Sequence, residues 1–212
     1  MRFTTLLFDL DDTLYPASTG LWSTLKARMN DYMSKRMRIP ETDIGRLREK
    51  YFKQYGTTLR GLQANHEIDT QDFLAYVHDV PLADYLTPDP LQREIIASLP
   101  ARKLVFTNAD VPHAERVLAA LQLEGVFDAI VDVNAVAPYC KPMPEAFSIA
   151  MQIAGESDPA RCVMIDDLPR TTRAAKAVGL FGILYGQAAA LPDADASFSD
   201  WRQLPALLNG IK

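Results

Sequence analysis

The chain has 212 residues, 48% of them hydrophobic, and a formal net charge of -5 with no Lys/Arg block to offset it. That length fits one compact domain with an insertion, or two small ones, and the charge excludes nucleic acid as a partner while allowing a small anion in a local cationic pocket. Cys140 and Cys162 are too few for a disulfide framework, no stretch approaches the roughly 20 apolar residues of a membrane span, and no basic flank with a long apolar segment opens the chain. The expectation is a cytoplasmic protein without a membrane partner.

The first apolar run, Phe3 and Leu6-Leu7-Phe8, stops at Asp9-Leu10-Asp11-Asp12-Thr13. Carboxylates crowded at a strand tip repel one another and resist ionisation unless a cation sits among them, so a metal or a reaction is implied. Strand side chains alternate, which lets Asp9 and Asp11 face one point. One could attack while the other moves protons.

From Pro16 to about Pro100 the pattern is helix only, with a stripe at Ile44, Leu47, Tyr51 and Tyr55 bounded by Ile39-Pro40 and Gly56. Segment 56–66 reads as its least regular part and carries Arg60, Asn65 and His66. Apolar runs at 103–106, 127–131, 161–165 and 180–184, separated by helical stretches, then predict a parallel sheet with crossover helices. The fold class is therefore α/β, a Rossmann-like parallel sheet core with an all-helical insertion after strand one.

Within the core, Val105-Phe106-Thr107-Asn108 ends a strand, and Asp110 with Pro112 starts a helix, so Thr107 and Asn108 sit where a phosphate binds. Lys141 lies in CKPMPEAF, whose prolines open a helix from Glu145. Asp166-Asp167 close the apolar run CVMIDD, and residues 173–179 give a small-residue helical face ending at Gly179. Taken singly, an Asp pair also caps helices, Lys141 reads as a solvated surface lysine and Asn108 as a turn.

Together, FDLDDTLYP, Thr107, Lys141 and Asp166-Asp167 resemble, in order, the motif set of the haloacid dehalogenase superfamily of phosphotransferases, beginning with its DxDxT signature. The resemblance implies a core of residues 1–14 and 99–212 and a helical cap of 15–98, hinged near Thr13–Pro16 and Leu99–Arg102. It implies Asp9 as nucleophile, Asp11 as acid and then base, Lys141 near both Asp9 and phosphate, and Thr107 and Asn108 as phosphate ligands. Asp11 separates the chain from the dehalogenase branch, which lacks it. The implied cofactor is Mg2+, held by Asp9, the Asp11 backbone carbonyl and Asp167, with Asp166 as a supporting or alternate ligand. Where the family commonly carries Asp or Asn four residues after the metal carboxylate, this chain has Thr171, which weakens the expected support of the metal.

Further stretches, DDTLYPASTGLW, Tyr55–Leu62, KLVFTNAD with His113-Ala114, and Tyr139–Pro142, resemble the pyrimidine 5'-nucleotidase branch. That likeness implies a small phosphorylated metabolite, a nucleotide, as partner. Arg60 is the candidate for phosphate or ribose and Asn65 for a pyrimidine edge, each with an ordinary loop role as the alternative. His66 is open in the same way, and Trp22 and Tyr15 either stack on a base or build an aromatic core at the hinge. Alternatives keep the chemistry but change the substrate to a sugar phosphate or phosphoglycolate, or replace water as in a phosphomutase. A non-catalytic binding protein is the third reading, opposed by retention of Asp9, Asp11, Thr107, Lys141 and Asp167 together.

Overall fold

A computed structural model describes residues 2–187 and 192–211. Its strands are β1 (Thr5–Phe8), β2 (Arg102–Phe106), β3 (Ala129–Val131), β4 (Cys162–Asp166), β5 (Phe181–Tyr185) and β6 (Ala196–Phe198). They form one parallel sheet in the order β3-β2-β1-β4-β5-β6, with Leu7 opposite Leu104 on one side and Met164 on the other. The five expected strands are present. β6 is a further edge strand of three residues, too short to carry a period in the sequence.

Alternation divides the core. Leu6, Phe8, Val105, Val163, Ile165 and Ile183 face one side, covered by α5 (Pro90–Ser98), α6 (Val111–Ala120) and α9 (Leu204–Gly210). Leu7, Leu104, Phe106 and Met164 face the other, under α7 (Pro144–Ala154) and α8 (Pro169–Ala177). Each such side chain contributes on the order of 1.5–3 kcal/mol by leaving water, and apolar residues on both faces are what a helix-covered parallel sheet requires.

Between β1 and β2 run α1 (Leu21–Lys35), α2 (Glu41–Tyr55), α3 (Thr58–Asn65) and α4 (Thr70–His78). α1 packs on α4 through Tyr32, edge-on to Phe73 and Tyr76, while α2 packs on α3. The stripe on α2 is realised, with Ile44 and Tyr51 buried and Leu47 and Tyr55 partly so. Segment 56–66 is not irregular: α3 starts where Thr57 accepts the Arg60 N–H. Gly61 obscured that helix in the sequence, and it is there because α2 lies against it. α5, at the end of the expected insert, packs on the core turn Trp201–Gln203.

In this strand order β1 and β4 are neighbours whose chains leave toward opposite halves of the sheet. Their carboxyl ends flank the crevice in which open α/β sheets bind ligands.

Candidate active site

The β1 ladder extends one residue further, with the Asp9 N–H donating to the Ile165 carbonyl at 2.9 Å. Asp12, at φ 60°, then turns the chain away, a left-handed conformation that aspartate tolerates. Thr13 ties the two strand ends together: its hydroxyl donates to Asp9 Oδ2 at 3.3 Å and accepts the Asp167 N–H at 3.1 Å. Asp166 Oδ1 accepts the Leu168 N–H just before α8, so the Asp pair also shapes that helix start.

Lys141 is the centre of the cluster. Its Nζ lies 2.6 Å from Asp9 Oδ1 and 2.8 Å from Asp166 Oδ2, and the residue is 3% exposed. It is not a surface lysine. Asn108 fixes its backbone from both sides, accepting the Lys141 N–H at 2.9 Å and donating to the Lys141 carbonyl at 3.0 Å. The Asn108 amide is thus engaged with Lys141, and Thr107 uses its oxygen to accept the Ala109 N–H at 3.0 Å, leaving its hydroxyl proton free to donate.

Burial pushes Asp9 well above the ordinary carboxylate range; Lys141 opposes this, while Asp166 and Asp167 add to it. Asp167 is pushed up to about 7, first by burial and then by Asp166. Burial would lower Lys141, but Asp166 and Asp9 outweigh it and keep the ammonium charged. Asp9, Asp166 and Asp167 each offer one oxygen, all within 4.8 Å of one another. Three hard oxygen donors with more negative charge than one lysine balances fit Mg2+, which keeps several waters and needs few carboxylates.

Asp11 stands outside that trio. Its Oδ1 accepts from the Tyr15 hydroxyl at 2.6 Å and lies 3.1 Å from His113 Nε2. Burial raises this carboxyl, yet His113 and Tyr15 outweigh burial and hold it below the usual range. Tyr15, expected to stack on a base or fill the hinge core, is buried and bonded to Asp11. His113 was legible only as part of a matching segment. Its place three residues after the helix cap Asp110, on the first turn of a helix beside the strand tips, is the signal that could have singled it out.

Above the cluster, α1, α2 and α4 close a cavity of about 440 Å³ that reaches Asp9, Asp11, Thr107, Asn108, Lys141 and Asp167. Trp22, Phe52, Phe73, Lys26, Arg48 and buried Thr171 also line it. Arg60 and Asn65 are not in it. The Arg60 guanidinium donates to the Tyr139 carbonyl at 3.0 and 2.7 Å and to the Val133 carbonyl, joining α3 to the core. Asn65 Nδ2 donates to the Gly61 carbonyl at 2.8 Å, and His66 pairs with the Tyr51 hydroxyl at 2.8 Å. Each of the three satisfies protein groups instead of facing the carboxylates. Arg170 makes a second joint, its guanidinium 3.5 Å from the Phe52 ring centre and donating to the Gly56 carbonyl at 2.8 Å. Gly56, at φ 82°, also lets the chain pass close to the loop that carries Lys141, since a Cβ there would stand 2.7 Å from Cys140 Sγ.

A lysine-bridged carboxylate cluster at the carboxyl edge of a doubly wound sheet, roofed by a helical insertion, defines a class of α/β hydrolases. The haloacid dehalogenase-like hydrolase family matches residues 3–179, and the chain belongs to it. It is 30% identical to Phosphate metabolism protein 8 of Saccharomyces cerevisiae over 84% of this chain and 60% of that protein, so it spans less than two thirds of that relative. Among solved structures it is similar to a haloacid dehalogenase-type phosphatase from Thermococcus onnurineus, with a TM-score of 0.66 and 17% identity over 98% of this chain and 99% of that one. A 2-haloacid dehalogenase from Pseudomonas syringae gives a TM-score of 0.62 and 21% identity over 99% and 100%. At such identities these two establish the fold alone. Among the described residues no helix is long and apolar enough to cross a membrane.

Proposed function

We propose that the chain is a Mg2+-dependent phosphomonoester hydrolase working through an aspartyl-phosphate on Asp9, with a pyrimidine mononucleotide as its substrate. The observation that carries the reading is Lys141 bridging Asp9 and Asp166 beneath the cavity. Asp9 attacks phosphorus, the bond to the leaving oxygen breaks, and Asp11 gives that oxygen its proton. The dianionic substrate itself raises Asp11 by repulsion toward the protonated form this step needs. Asp11 then takes a proton from the water that attacks the phosphorylated Asp9, releasing phosphate and restoring both groups. Lys141 and the Thr107 hydroxyl hold phosphoryl oxygens, and the Asn108 amide holds Lys141. Bound by Asp9, Asp167 and the Asp11 backbone carbonyl, with Asp166 beside them, Mg2+ would supply positive charge to the phosphoryl group.

The cavity supports a leaving group of nucleoside size with a flat apolar part. Its lining offers Trp22 and Phe52 for stacking and Lys26 and Arg48 for polar contacts, a poor match to the small and fully polar phosphoglycolate. These residues, not Arg60 and Asn65, make the base and ribose contacts in this reading. Both cysteines are free and buried, which supports a reducing compartment such as the cytoplasm.

Phosphate release from a panel of phosphomonoesters, with and without Mg2+, tests the reading. The wild-type chain should turn over a pyrimidine mononucleotide with higher kcat/KM than phosphoglycolate, and folded Asp9→Asn should release nothing above background. Turnover by Asp9→Asn would overturn the nucleophile, a preference for phosphoglycolate the substrate, and no release from any ester the catalytic reading as a whole.

A further inference from the structure

α6 carries two residues that join the cap to Asp11. His113, on its first turn and 1% exposed, points Nε2 at Asp11 Oδ1 across 3.1 Å. His78, the last residue of α4, stacks on the His113 ring with centroids 4.1 Å apart and planes 18° from parallel. Its Nδ1 lies 2.8 Å from Asp110 Oδ1, and Asp110 is the residue that caps α6. Arg116, one turn further along, donates to the carbonyls of His78 at 2.8 Å and Val80 at 2.6 Å. The end of α4 is therefore docked on the core helix that presents His113.

The two oxygens of Asp11 are used unequally. Oδ1 receives both the Tyr15 hydroxyl and His113, whereas Oδ2 receives no hydrogen bond among the described residues and the side chain borders the cavity. A carboxyl that exchanges protons with a leaving oxygen needs one fixed oxygen to set its rotamer and one free oxygen to reach the substrate.

We propose that His113, braced by His78 of the cap, is a positioning residue that anchors Asp11 through Oδ1 and leaves Oδ2 to give and take the proton. The inference rests on the hydrolase reading above. It adds a dependence of that one step on the cap: the ring that aligns Asp11 is held in plane by a side chain that moves with α4.

The test compares kcat/KM for an alkyl phosphate, whose leaving oxygen needs a proton, with that for p-nitrophenyl phosphate, whose leaving group does not. kcat/KM covers the chain only up to formation of the phosphoenzyme, so the later base role of Asp11 does not enter. His113→Leu should lower the alkyl value by roughly 10- to 100-fold and the aryl value by less than about 3-fold. His113→Gln, whose amide reaches the position of Nε2, should restore most of the alkyl rate. His78→Leu should give the same selective loss at about 3- to 10-fold. Both substrates are measured on one folded sample, so a loss of stability alone moves them together. Equal losses on the two substrates, or a Gln variant as poor as Leu, would overturn the role of His113. An unaltered His78→Leu would overturn the part of the cap. Failure of the wild-type chain to hydrolyse either ester would instead overturn the hydrolase reading, and this inference with it.

Discussion

The ammonium of Lys141 lies 2.6 Å from Asp9 Oδ1, with 3% and 11% of the two side chains exposed. An ion pair this deep adds little net stability by itself, but removing one partner strands the other charge in a low-dielectric site.

Lys141→Met should accordingly abolish turnover and cost about 3 kcal/mol at pH 8 in the presence of EDTA, because Asp9 and Asp166 are left without their cation. The deficit should shrink at pH 5. Asp9 is already displaced upward, and a carboxyl raised in the folded state gains protons, and relative stability, as pH falls. Urea unfolding at the two pH values measures this, and equal deficits would argue that the charges are not what the lysine balances.

Gly61→Ala tests the seam between α2 and α3. In an isolated helix this change stabilises by roughly 0.5–1 kcal/mol, but here the new Cβ would stand 2.2 Å from Tyr51 Cβ. Overpacking of that kind typically costs about 1–3 kcal/mol, so the variant should melt below the wild type. A raised melting temperature would show that the seam opens without cost.

Thr171 is buried and lines the cavity, at the position where the resemblance drawn from the sequence expects Asp or Asn. Thr171→Asn should move the midpoint of a Mg2+ titration of activity to lower concentration, by roughly 10- to 100-fold if the amide takes up support of the metal shell. An unmoved midpoint would show that the threonine hydroxyl or Asp166 already serves.

Asp110 caps α6 and faces His78. Burial raises its carboxyl, but the His78 contact and the helix N–H groups outweigh burial and hold it below its ordinary value. His78 is itself lowered, chiefly by burial. Asp110→Asn keeps the cap and removes the charge. The variant should be less stable than wild type above the unfolded carboxyl value near 4. Its deficit should vanish as pH falls through the lower folded value, since a depressed carboxyl contributes only while it stays ionised. Thermal melts between pH 7 and 3 follow the difference, and a deficit that persists in acid would remove the charge from the explanation.

The sequence determined what short-range physics encodes. The apolar run Leu6-Leu7-Phe8, the abrupt stop at Asp9, and the cap at Asp110 located the strands, their chemically loaded ends and the helix starts. The ordered carboxylates and Thr107 at strand tips, with Lys141 in the loop before α7, identified the family, because chemistry of this kind demands those residue types in that order. Tertiary structure alone decided partners and burial. It placed Lys141 inside and not at the surface, and committed Asn108 to the Lys141 backbone. It bonded Tyr15 to Asp11 and set Arg60 as a tie from cap to core. Contacts such as Arg60 to Tyr139, His113 to Asp11 and Lys141 to Asp9 span 79, 102 and 132 residues. No helical or strand period reaches that far, since a buried polar side chain takes whichever unsatisfied group the assembled fold brings within reach.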